Sequence, residues 1–66
     1  MRKPISQELR ALGQELRALR TSARVTQIEL GRRVGCSHAF ICQIETGARP
    51  VPPRRAVAIR RALRAA

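Results

Sequence analysis

Three side chains with ligand or nucleophile chemistry fall in one short stretch: Cys36, His38 and Cys42. Such a set suits a metal ion, or a thiol nucleophile with a histidine base. The spacing supports neither. A tetrahedral zinc site needs four ligands at familiar intervals, and this set lacks the fourth. A disulfide between Cys36 and Cys42 would span a short helical stretch on which the two side chains diverge. Free thiols in a reducing cytoplasm are expected instead. A Cys/His nucleophile also needs a pocket, and a chain of 66 residues has little material to build one. The sequence has no Ser/His/Asp arrangement, no paired carboxylate cleft and no phosphate-cradling glycine loop. The expectation is binding rather than catalysis, with no metal, cofactor or small-molecule substrate.

Charge indicates what is bound. Thirteen Arg and one Lys face four acids, giving a net charge of +10 and a pI near 11.9. So lopsided a balance costs self-repulsion and points to a polyanionic partner. Yet "GCSHAFICQIETG", Gly35 to Gly47, contains no basic residue, and its one formal charge is Glu45. Aromatic stacking on single strands is not expected, because Phe40 is the sole aromatic residue. No apolar run reaches the roughly 20 residues of a membrane span, and no signal peptide is visible.

The elements that must position this stretch follow from periodicity. The chain has the size of one small domain, able to bury roughly 60% of its unfolded surface. Residues 1–5 read as a basic arm carrying Arg2 and Lys3, and 6–66 as the domain. QELRALG at Gln7–Gly13 is echoed by QELRALR at Gln14–Arg20. Leu9, Leu12, Leu16 and Leu19 then form one apolar helical stripe, with Ser6 as the expected N-cap. Two heptads are too few for a coiled coil. Thr26 with Glu29 has the capping-box form and opens a helix of about Gln27 to Val34, ended by Gly35. Ser37 caps a third helix, which runs to about Thr46 and stops at Gly47. Two short helices joined by so tight a turn form a helix-turn-helix signature over about 26–46. The proline-rich segment Ala48–Pro53 is a loop, and Pro53 suits the start of a fourth helix. Ala56, Ile59 and Leu63 face inward on it, and its five arginines are expected mostly on the wet face.

These residues resemble the lambda-repressor-like, Cro/CI-type (Xre group) helix-turn-helix family. The resemblance rests on Leu12, Leu16, Leu19-Arg20, Thr26-Gln27, Glu29-Leu30, Gly31, Val34-Gly35, Ser37, Ile41, Ile44-Glu45 and Gly47. It covers residues 12–50 well and continues more loosely through Ile59 and Leu63. Cys36 stands where Val or Ile is usual, and Ile28 where a polar residue is common. The resemblance implies an all-α, compact lambda-repressor-like domain; four helices are expected here, so the sequence departs from the family in the fifth helix that often builds its dimer contact. It implies sequence-specific binding of double-stranded DNA by a bacterial or phage transcription regulator, expected to be a cytoplasmic, nucleoid-associated repressor. Binding as a homodimer on a pseudo-palindrome is the family expectation.

The same resemblance lays the third helix in the major groove, where bases are read by hydrogen-bond pattern and methyl contact. Its outward face would carry the base readers: Gln43 for adenine, His38 for guanine, Ala39 for a thymine methyl, and Cys42 packing nearby. Guanine is not expected to dominate through arginine forks. Backbone contacts are expected from Gln27, Ser37, Thr46, Arg49 and Arg54, since phosphate contacts position and base contacts specify. The resemblance also implies a structural pair, Arg20 with Glu45, which would neutralise the lone acid. The alternative is a protein-interaction module using the helix-turn-helix as scaffold, such as an antitoxin or small assembly subunit. A membrane-active cationic peptide is argued against by the capped, glycine-bounded helices.

Overall fold

The computed structural model describes residues 5–65. Among them are four helices and no strand: α1 (Ile5–Ser22), α2 (Gln27–Val34), α3 (His38–Thr46) and α4 (Pro53–Ala65). The expected arm, with Arg2 and Lys3, lies outside the described residues, except that Ile5 already belongs to α1. Ser6 is therefore not the N-cap, because the helix starts before it.

The first three helices end in the same way. Each closes with a residue in the left-handed region, after which the next N–H reaches back to a carbonyl five residues earlier. Val25 N donates to Arg20 O at 3.1 Å, Cys36 N to Gly31 O at 2.8 Å, and Ala48 N to Gln43 O at 2.9 Å. The left-handed residues are Arg24, Gly35 and Gly47, with φ of 60°, 75° and 83°. Glycine adopts this conformation freely, whereas a side chain pays about 1–2 kcal/mol in steric conflict. Arg24 carries that cost. Two helices also start on capped turns: Thr26 Oγ1 accepts from Glu29 N, and Ser37 Oγ from Phe40 N. The turn Gly35-Cys36-Ser37 thus ends α2 and begins α3 with almost no chain between them.

α1 packs on α3 and α4, and α2 packs on the same two. Leu16, Val25, Leu30, Ile41, Ile44, Ile59 and Leu63 form the buried core, with Ala56 also buried. The leucine stripe of α1 contributes less than its periodicity promised. Leu16 is buried and Leu12 packs against the core, but Leu19 is 40% exposed. The inward face of α1 runs through Gly13, Leu16 and Arg20 instead. A Cβ at Gly13 would collide with the Ile44 carbonyl oxygen and lie 2.7 Å from that of Glu45. The missing side chain lets α1 press directly on the last turn of α3. On α4, Arg54, Arg61 and Arg64 are exposed as expected, but Arg55 is half-buried. It donates to Val34 O at 2.8 Å and so binds the end of α2. A carbonyl in the last turn of a helix has no intrahelical partner, which is why this arginine turns inward.

Two glycine exchanges should therefore act in opposite directions. Arg24→Gly should stabilise by about 1 kcal/mol by removing the left-handed penalty. Gly13→Ala should destabilise by about 2 kcal/mol, because backbone overlap outweighs the better helix propensity of alanine. Thermal unfolding should read these as shifts of roughly 4–8 °C per kcal/mol, upward for the first and downward for the second.

Candidate nucleic-acid interface

On α3 the helical repeat sorts the side chains sharply. Ile41, Ile44 and Glu45 are buried, and Phe40 is half-buried at the edge of the core. His38, Ala39, Cys42, Gln43 and Thr46 are exposed. The four expected base readers thus share one outward surface, which carries no formal charge. Both thiols are free, Cys36 half-buried and Cys42 exposed. No group of metal-ligating side chains forms among the described residues.

Glu45 is the acid that this surface must hide. It is 5% exposed, and Arg20 is 9% exposed. Arg20 Nε donates to Glu45 Oε2 at 2.6 Å and Nη2 to Oε1 at 3.1 Å, a two-pronged contact. Nη1 donates to Val25 O at 2.8 Å. Gln27 Nε2 adds a further bond to Glu45 Oε1 at 2.9 Å. Every buried side-chain nitrogen and oxygen among the described residues has a partner. The network ties the end of α1, the start of α2 and the last turn of α3 into one joint. By contrast, the ion pairs Arg33–Glu29 and Arg60–Glu15 lie at the surface.

The surroundings of α3 divide into two clusters. At its start, Arg20, Thr26, Gln27, Ile28 and His38 line an open depression of about 350 Å³. The first turn of α2 therefore lies beside the first turn of α3, with Ile28 exposed at the rim. At the other end, Arg49 Nε donates to Gln43 Oε1 at 2.7 Å, and its guanidinium lies 5.5 Å from the Phe40 ring centroid. Thr46 Oγ1 donates to Gln43 O at 3.1 Å. Arg54 belongs to neither cluster. It stands exposed in the first turn of α4, where it lines a groove with Pro52, Arg55 and Ala58.

Several residues have partners that sequence reasoning did not supply. Gln27 was expected to face phosphate, yet one of its amide protons is held inward by Glu45. Ser37 uses its oxygen to cap α3 and keeps its hydroxyl proton. Arg49 was expected to face phosphate, and its Nε is also bound to Gln43. A signal for this last contact existed: Gly47 reverses the chain, and a reversed loop passes beside the helix turn it has just left.

The model of the helix-turn-helix domain family matches residues 11–66. No curated protein and no solved structure matches the chain. No helix among the described residues is long and apolar enough to cross a membrane.

The buried joint generates a stability prediction. Arg20→Ala leaves a buried carboxylate without its cation and should cost about 3–5 kcal/mol, enough to unfold much of so small a domain. Glu45→Gln should also lower the melting temperature. Arg60→Ala removes an exposed partner and should change stability by less than about 1 kcal/mol. Urea unfolding of the three variants separates these outcomes.

Proposed function

The chain belongs to the helix-turn-helix domain family, and from that premise we propose that it is a sequence-specific binder of double-stranded DNA that regulates transcription as a repressor. A helix-turn-helix is a DNA-binding element that presents its second helix to the major groove. The observation that carries the proposal is the neutral outward face of α3, with the only acid of that helix buried against Arg20. An exposed carboxylate there would repel phosphate.

His38, Ala39, Cys42 and Gln43 read base edges. Gln27, Ser37, Thr46, Arg49 and Arg54 hold the backbone, with helix N-termini at Gln27 and Ser37 adding N–H groups that attract anions. The resemblance to the Cro/CI-type group supports a bacterial or phage repressor acting on the nucleoid as a pair of copies. Its work is binding, with no catalytic step. Depth of contact comes from charge, and discrimination comes from α3.

The test is selection from a randomised duplex pool at about 150 mM salt, where exposed charges separated by more than roughly 8 Å are screened. A two-fold-symmetric motif is expected, with half-sites about one helical turn apart. Arg54→Ala should weaken all sequences alike and lower the salt slope by about one. If no sequence is enriched while one protein co-purifies tightly, the chain is an interaction module and base reading by α3 is wrong.

A further inference from the structure

Resting on the DNA-reading role of α3, we infer that Arg49 is a positioning residue that sets which base Gln43 accepts, and that the pair selects guanine rather than adenine. A glutamine alone suits adenine, because its amide donates to N7 while its oxygen accepts from the N6 amino group. That oxygen already accepts one bond here, from Arg49, which leaves it a single lone pair for a base. Arg49 Nε–H can only donate, so the amide end facing it at 2.7 Å is Oε1. A charge-assisted bond of this length is among the stronger side-chain hydrogen bonds.

Arg49 is held from two sides. Its guanidinium lies over the Phe40 ring at 5.5 Å, within the range for a cation on an aromatic face. The chain beneath it is fixed by the Gly47 reversal and by the Ala48 N to Gln43 O bond. Arg49 and Gln43 are both exposed, so the pair sits at the surface rather than inside the core. Arg49 Nη1 and Nη2 have no hydrogen-bond partner among the described residues. With the Gln43 oxygen held toward Arg49, the groups of the pair left without a partner are the Gln43 amide protons and the remaining guanidinium protons. The pair presents an array of donors.

Among base edges in the major groove, guanine offers two acceptors, O6 and N7. Adenine offers one acceptor and one donor. Its amino group would have to share the Gln43 oxygen with the Arg49 guanidinium, one donor beside another. The uncharged helix borrows one cation from the loop that follows it, and that cation changes what the helix reads.

The experiment compares base preference in three proteins by selection, followed by binding to single-base variants of the best site at about 50 mM salt. Gln43→Ala locates the position, as the one whose preference flattens. At that position the native chain should favour guanine over adenine by about tenfold, within the range for a two-bond base contact. Arg49→Ala frees the Gln43 oxygen and should reverse the preference to adenine. A backbone-only Arg49 would weaken every sequence equally and leave the preferred base unchanged, which overturns the inference. So does a native preference for adenine. Absence of any motif in the native chain instead removes the DNA-reading role itself, and the inference falls with it.

Discussion

The buried pair of Arg20 and Glu45 is the constraint from which the rest of this small domain is organised. Few side chains are fully buried: Leu16, Leu30, Ile41, Ile44 and Ile59. So small a core leaves helix orientation weakly determined by apolar packing alone. The ion pair adds direction. Arg20 reaches Glu45 through two nitrogens and the Val25 carbonyl through a third, so its planar fork fixes the angle of α1, α3 and the turn before α2 together. Burying both charges has a desolvation cost that their attraction offsets only with good geometry and satisfied neighbours. Gln27 supplies the remaining neighbour. The bond is better understood as fixing one arrangement of helices than as a large net gain in stability.

The joint also has an electrical role. Its acid sits on the helix that presents the neutral outward face. Taking Glu45 inward removes the one negative charge from that helix, while the positive charge stays on flanking segments. α3 has no basic residue in its last turn, and the exposed cation bound to its outward face, Arg49, comes from the loop after Gly47. Charge is thus distributed around the helix rather than along it. This separates attraction, which falls with salt, from recognition, which depends on short-range hydrogen bonds.

The sequence disclosed much of the fold because its punctuation is chemically explicit. Thr26, Ser37 and Pro53 mark helix starts, and Gly35 and Gly47 mark ends. α2, α3 and α4 begin where those residues placed them. The end of α1 was less legible for a specific reason: its left-handed position is filled by Arg24, so a helix closure of the same type had no glycine to announce it. Leu19 misled for a related reason. Periodicity identifies a stripe but not its centre, and the centre lies on Gly13 and Arg20, neither of which is apolar. These two occupy the same place in the QELRAL echo, seven residues apart, and both meet the last turn of α3. The point where the two repeats differ is the point where the structure uses them. Which residues of α3 face outward was accessible from the 3.6-residue repeat alone. Their partners were not, because Gln27–Glu45 and Arg49–Gln43 depend on how separate segments are brought together.

On the proposed DNA-reading role, stability and recognition fall on the same short helix, and its geometry keeps them apart. Ile41, Ile44 and Glu45 hold α3 to the domain, while His38, Ala39, Cys42 and Gln43 remain outside. Surface exchanges away from caps and buried networks usually move stability by no more than about 0.5 kcal/mol. The outward residues can therefore be exchanged at little cost to folding. Gln43 departs from this independence, since its side chain is bound to the following loop and its carbonyl closes the helix. Thr46 and Ala48 both donate to that carbonyl, so the loop bearing Arg49 is anchored to the residue it orients. A change of side chain at position 43 alters the reader while leaving its main-chain anchor in place. A change in the Gly47 reversal would displace reader and cation together. The turn after α3 is thus coupled to the outward face of the helix, although none of its residues lies on it.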